Sequence, residues 1–198
     1  MDNEGGLMVS AIVLGVATFL LNTSRGLKAT KLGEEWLIFL TSNARVKEYH
    51  WFSQVYQATN MLMLAASYKV SNYISAERYA KELLIIPHAS GDRVIKGKLS
   101  LVLGQIYQKQ NEFEKAREYY QKAADITRSI GDKQTEAQCY MMIGKLFYSL
   151  CEYHKAEEYY KKALTITVPN GDRDNEATIY GNLGTILQSL GEDRKSVV

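Results

Sequence analysis

Glycine and aspartate stand side by side at Gly91-Asp92, Gly131-Asp132 and Gly171-Asp172, a strict spacing of 40 residues, and single glycines at Gly104, Gly144 and Gly184 keep the same interval. Residues 91–130 and 131–170 share 13 identities in 40 positions, and 131–158 shares 10 in 28 with 171–198, both without a gap. A fixed period of this length means one supersecondary unit used repeatedly. Each copy cannot bury its own apolar face and must stack on the next.

The recurring positions are those a helix-turn-helix unit needs. Leu103, Ile143 and Leu183 precede the single glycines, and Tyr107, Phe147 and Leu187 follow three places on, which puts them on one helical face. Twelve residues after each glycine stands a small residue, Ala116, Ala156 or Ser196; Tyr120 and Tyr160 come next, then Ala123 and Ala163. The expected contact sets each glycine opposite an alanine of the second helix, with the tyrosine ring filling the space beside them. Gly131 and Gly171 fall where a helix ends in a left-handed residue, and the aspartate after each falls where the next helix is capped. Inside the repeats the turn carries Asn111, Cys151 and Gly191 at one equivalent position.

This pattern resembles the tetratricopeptide repeat. Tyr140 and Tyr180 stand at the signature tryptophan position, and Ile143-Gly144, Phe147, Ala156, Tyr160 and Ala163 follow at the family's offsets. The closing proline is missing, with Pro169 one place away, and the unit is about six residues longer than the 34 of the family. The longer unit, its Gly-Asp linker and the phrase YGNLGTILQSLGE at 180–192 resemble the long-repeat subgroup of LGN/Pins-type adaptors and tetratricopeptide repeat protein 28-like scaffolds. The resemblance implies an all-α fold, helix-turn-helix repeats stacked as a right-handed superhelix (an α-solenoid). It also implies a protein-binding scaffold without a catalytic centre, cofactor or metal.

Carried onto this chain, the family's inner-surface positions are Lys98, Leu101, Gln105, Gln108 and Lys109 in the first clear repeat. Gln138, Met141, Lys145, Tyr148 and Ser149 follow in the second, and Thr178, Thr185, Gln188 and Ser189 in the third. The implied groove is polar, rich in amides and mildly basic, suited to a peptide or protein segment with acidic residues. The family's backbone-binding asparagine is replaced by Gln105, Lys145 and Thr185, although Asn182 persists, so no chaperone-type carboxylate clamp is implied.

Outside the array the pattern weakens. Residues 51–90 keep the frame through Ala76 and Ile86, but Leu64 replaces the packing glycine, with Ala65 and Ala66 beside it as substitutes. Residues 34–49 read as a helix with Trp36, Phe39, Leu40 and Val46 on its apolar side. We therefore divide the chain into an apolar segment (1–33), a divergent capping region (34–90) and the array (91–198). Residues 5–24 lack any formal charge, and two readings stay open for them: a helix buried on the array, or a membrane anchor. The acidic start MDNE does not suit a secretory signal.

With 24 Lys plus Arg against 22 Asp plus Glu, no bulk field argues for nucleic acid. Two cysteines, Cys139 and Cys151, fit free thiols in a reducing compartment, so a cytoplasmic protein is expected. The three histidines, His50, His88 and His154, show no metal-ligand spacing, and no phosphate-binding glycine loop is present. The last repeat stops at Val198, a few residues into its second helix in this register. Its first helix is then expected to expose Leu183, Ile186, Leu187 and Leu190, a face that suits a fragment of a longer repeat rod or self-association.

Overall fold

The computed structural model describes residues 25–43, 51–85 and 92–196, together with Lys47, Glu48 and scattered positions between 10 and 18. Eight helices are delimited among them: α1 (Gly26–Ser42), α2 (Phe52–Lys69), α3 (Tyr73–Ile85), α4 (Asp92–Lys109), α5 (Phe113–Ile130), α6 (Lys133–Ser149), α7 (Tyr153–Asn170) and α8 (Arg173–Ser196). No strand occurs among the described residues. The fold is all-α, and the chain divides into two compact units, Met1–Pro87 and His88–Val198.

In the first unit α1 packs on α2 and α2 on α3. The buried residues of α1 are Gly26, Ala29, Gly33, Trp36 and Leu40, spaced alternately three and four apart, which is one continuous helical seam. A Cβ added at Gly26 would run into Val70 at the end of α2, and one at Gly33 into Met63 of α2, so these two glycines set how closely α1 approaches α2. This seam corrects the expected helix over 34–49. The helix starts at Gly26 because the small-residue contact starts there, and it ends at Ser42, with Asn43 extended. Trp36 and Leu40 join Trp51 and Val55 in a core cluster, while Phe39 stays partly exposed and stacks on Trp36 at 5.1 Å. Val46 lies outside the described residues. Ala66 is buried but Ala65 is exposed, so only one of the two substitutes for the missing glycine meets a neighbour.

No helix among the described residues is long and apolar enough to cross a membrane. Most of residues 5–24 lie outside the described set; of those within it, Ser10 and Ala17 are buried, and Val13 packs against the Trp36 cluster.

In the second unit consecutive helices pair, and α4 also meets α6, as α6 meets α8. That two-neighbour pattern is what stacked helical hairpins produce. The turn inside each hairpin is built identically: Asn111 and Cys151 take left-handed φ values of 62° and 59°. The amides of Glu112 and Glu152 bond back to the carbonyls of Tyr107 and Phe147, each at 2.9 Å. Ser71 (φ 59°) and the Asn72 amide bonded to Ser67 repeat this geometry 40 residues earlier, so 51–85 holds a genuine hairpin of the same kind. Between hairpins Gly131 and Gly171 are left-handed, at 76° and 68°. Asp132 and Asp172 then accept bonds from the amides of Thr135 and Asn175. Gly91 lies outside the described residues.

Three expectations are corrected here. The glycines face tyrosine rings rather than alanines: a Cβ at Gly104 would collide with Tyr120, and one at Gly144 would sit 3.1 Å from Tyr160. Glycine is needed because a rigid, fully buried ring occupies the seat, while Ala116, Ala123, Ala156 and Ala163 are buried on the same faces as those rings. Secondly, no turn forms at Gly191; α8 is a single helix of 24 residues. The earlier turns are stabilised by a second helix that packs back, and no such helix covers α8 among the described residues. Thirdly, Ile186 is fully buried and Leu183 and Leu190 are half-buried, whereas Leu187 is 65% and Tyr180 55% exposed. The open side of α8 is therefore the one carrying Tyr180, Gly184 and Leu187, where nothing lies within 4 Å of a Cβ at Gly184.

Gly104→Ala should destabilise by about 1–3 kcal/mol through overpacking, whereas Gly184→Ala should stabilise by up to about 1 kcal/mol through helix propensity; opposite shifts in denaturation midpoint check both. Cys151→Gly should stabilise by up to about 1 kcal/mol by relieving the left-handed strain, read the same way. Cys139 is fully buried, and burial, then the Glu136 carboxylate, push its thiol up to about 12. Its neutral form thus contributes stability that is complete below pH 9 and lost as pH rises toward 12. At pH 8 a thiol reagent should label exposed Cys151 at once and Cys139 only on unfolding, and Cys139→Ala should flatten the loss of stability above pH 9.

Candidate functional site

The expected inner-surface positions form strips at helical spacing on α4, α6 and α8, the three helices that meet one another along the second unit. Their side chains are not equally available. Leu101 and Met141 are buried and serve packing. Gln108 accepts a 2.8 Å bond from the hydroxyl of Tyr120, whose ring fills the Gly104 seat. At the corresponding place in the next repeat the Tyr160 hydroxyl has the Tyr148 phenol nearby; burial, reinforced by Tyr148, pushes it up to about 12. Tyr148 in turn lies 3.4 Å from the hydroxyl of Ser189, joining α6 to α8.

The remaining positions face outward. Lys98, Lys109, Lys145, Ser149, Thr178, Thr185 and Gln188 are exposed, and Gln105, Gln138 and Ser189 half-buried. Ser149, Thr178, Thr185 and Ser189 direct their hydroxyls to carbonyls of their own helices, so they present methyl groups and carbon rather than unsatisfied donors.

Charge is distributed unevenly between the two kinds of helix. On α5 and α7 the lysines have acidic partners: Lys115 with Glu112, Lys155 with Glu152, Lys161 with Glu157 and Lys162 with Glu158. Lys122 instead lies 5.7 Å over the Tyr119 ring. Among the described residues no ion pair involves Lys98, Lys109 or Lys145. Glu136, the acidic residue of α6, is buried and neutralised by Arg128 at 3.0 Å and Lys133 at 2.9 Å. Lys98, Lys109 and Lys145 consequently put positive charge on the exposed face of α4 and α6 that no ion pair among the described residues offsets.

Two features were not anticipated. Arg128 reaches from α5 to both Glu136 and the Tyr140 hydroxyl on α6, a clasp that Val168 and Glu176 cannot repeat forty residues on. The 128/136 pair is separated by eight residues across a turn, a spacing that no helical periodicity flags. A cleft of about 650 Å³ opens on the side of α5 and α7, with Arg117 and Lys122 beside the stacked rings of Phe147 and Tyr159. Its residues carry helix-packing signatures in sequence. His154 and Cys151 share the exposed hairpin turn with no third polar group joined to them, and no cluster of three metal-ligating side chains occurs among the described residues.

Residues 98–167 match the tetratricopeptide repeat family model. No curated protein sequence matches the chain. Among solved structures, BtubC from P. vanneervenii is similar at 20% identity and a TM-score of 0.73, with 96% of this chain and 77% of that one covered. A STAND protein with a tetratricopeptide repeat sensor from Pyrococcus horikoshii is similar at 21% identity and a TM-score of 0.74 over 94% of this chain. This chain spans only 28% of that protein's length. The Rap conjugation gene regulator of plasmid pLS20, in complex with the Phr* peptide, is similar at 15% identity and a TM-score of 0.61, covering 92% of this chain and 60% of its own. Residues 98–167 thus resemble the tetratricopeptide repeat by their family model, and the fold that they share with these neighbours is an all-α helical repeat.

Proposed function

We propose that the chain is a non-enzymatic adaptor whose α4, α6 and α8 face binds an extended, acidic peptide or protein segment. The observation that carries this reading is the unoffset charge of Lys98, Lys109 and Lys145 beside amide and hydroxyl side chains. On α5 and α7 the lysines are held by carboxylates or a ring. A surface of that kind attracts a carboxylate-bearing chain and leaves a basic one unbound. Gln105, Gln138 and Gln188 add amide groups that can both donate to and accept from a peptide backbone. The peptide-bound state of the structurally similar Rap regulator supports a peptide as the class of ligand. The 40-residue unit and its Gly-Asp linker support the long-repeat subgroup of adaptors and scaffolds. Both cysteines are free thiols, which suits the cytoplasm.

Fluorescence anisotropy with labelled twelve-residue peptide pools tests the reading directly. Glu/Asp-rich pools should bind at low salt and Lys/Arg-rich pools should not. Lys98→Glu with Lys145→Glu should weaken acidic binding by about tenfold or more, or roughly 1.4 kcal/mol, with an unchanged helical circular dichroism spectrum. Equal binding of both pools, or indifference to the double variant, would remove the groove as the site.

A further inference from the structure

In the 40-residue frame α1 takes the place of a second hairpin helix. Trp36 and Leu40 are buried where Ala76 and Ala80, Ala116 and Tyr120, and Ala156 and Tyr160 are buried. α1 nevertheless stops at Ser42, which corresponds to Lys122, whereas α5 runs on to Ile130. The last turn of α5 carries Arg128, which reaches across to Glu136 and the Tyr140 hydroxyl of α6. The counterparts of Glu136 and Tyr140 two repeats earlier are Tyr56 and Asn60 of α2, and no residue of α1 stands in the place of Arg128. A cavity of about 430 Å³ is lined by Tyr56 and Asn60 together with side chains of α1 and α3, wholly within the first unit.

The apolar part of that lining is Leu37 and Ile38 of α1 with the Tyr56 ring; Ile38 is 65% exposed. Its charged part is Glu34 of α1 with Arg78 and Glu82 of α3, two carboxylates against one cation. Arg78 is already engaged. It donates a 2.7 Å bond to the Tyr79 hydroxyl, lies 4.6 Å over that ring and has Glu34 at 3.9 Å. Glu82 makes no ion pair among the described residues, so one carboxylate of the cavity is left unoffset. Asn60 lines the same space although it is only 1% exposed. Its Nδ2 donates 2.8 Å to the Tyr56 carbonyl of its own helix, and no bond to its Oδ1 occurs among the described residues. A buried acceptor left unpaired is costly, and a carboxylate in the same cavity favours a donor that is positively charged. We propose that the cavity among α1, α2 and α3 is a binding site for a small organic amine, a primary ammonium group on an aromatic or branched apolar body. The ammonium donates to Glu82 and to Asn60 Oδ1, and the body lies on Leu37, Ile38 and Tyr56. The volume is that of a small-molecule site, and none of its residues belongs to the acidic-peptide face.

The probe is 2-phenylethylamine, titrated against the full 198-residue chain by ligand-observed NMR at pH 7. Saturable binding is expected, about tenfold tighter than that of 3-phenylpropanoate, which carries a carboxylate in place of the ammonium. Glu82→Gln should weaken the amine about tenfold, and Ile38→Arg, which brings a competing cation, should abolish its binding. Both positions are exposed, and an unchanged thermal melt shows that the fold is kept. Lys98→Glu with Lys145→Glu should leave the amine unaffected, which separates this site from the acidic-peptide reading. No saturable binding, equal binding of amine and carboxylate, or indifference to Glu82→Gln overturns the proposal. So does tighter binding of phenylalanine, which would put a carboxylate on Arg78. Displacement of the amine by the Lys/Arg-rich peptide pool overturns it too, since the cavity would then be a groove for basic chains.

Discussion

The meeting of a glycine on one helix with a tyrosine ring on the next is the contact on which the repeat unit depends. At Gly104 and Gly144 the absence of a Cβ admits Tyr120 and Tyr160, which are almost wholly buried although each carries a hydroxyl. Burying so large a ring contributes apolar area on the scale of a core residue, but it requires that the hydroxyl find a partner. Gln108 supplies one for Tyr120. The small alanines on α5 and α7 keep the backbones close enough for the ring to reach. Helix pairing, turn geometry and the spacing of successive hairpins follow from satisfying that one contact in each copy.

Polar groups are used differently on the two sides of the array. Along α5 and α7, glutamates and lysines three or four residues apart neutralise one another, with Lys162 holding the Glu158 carboxyl below its usual range through a 2.7 Å bond. Such exposed pairs add little stability but leave little field. On α4 and α6, Lys98, Lys109 and Lys145 make no such pair among the described residues, and the one carboxylate of α6, Glu136, is buried under Arg128 and Lys133. The hairpins thus separate a neutralised surface from a charged one, which is the physical basis for assigning recognition to the latter.

Much of the array was legible because its signals are local and periodic. The Gly-Asp linkers, the hairpin turns at Asn111 and Cys151 and the Asp132 cap each depend on a few neighbouring residues. Errors arose where the partner was distant. Opposing glycine to alanine rather than to tyrosine misjudged side-chain reach across a helix pair, which spacing along one helix does not encode. Of the apolar face expected to be exposed on α8, Leu187 is exposed, whereas Ile186 is fully buried and Leu183 and Leu190 are half-buried. Of the candidate inner-surface positions, Leu101 and Met141 are buried and Gln108 is bonded to the Tyr120 hydroxyl, which spacing along one helix does not reveal.

By itself the sequence determined the period, the helical class, the two kinds of helix terminator and the positions of the charges, since these follow from backbone preferences and short-range spacing. Tertiary structure decided which glycine has a ring seated in it, where α1 begins, that Gly191 stays helical, and which lysines lack an acidic partner. Those outcomes depend on distances between helices: Gly144 has the Tyr160 ring of α7 at 3.1 Å from its Cβ position, whereas among the described residues nothing lies within 4 Å of that position at Gly184.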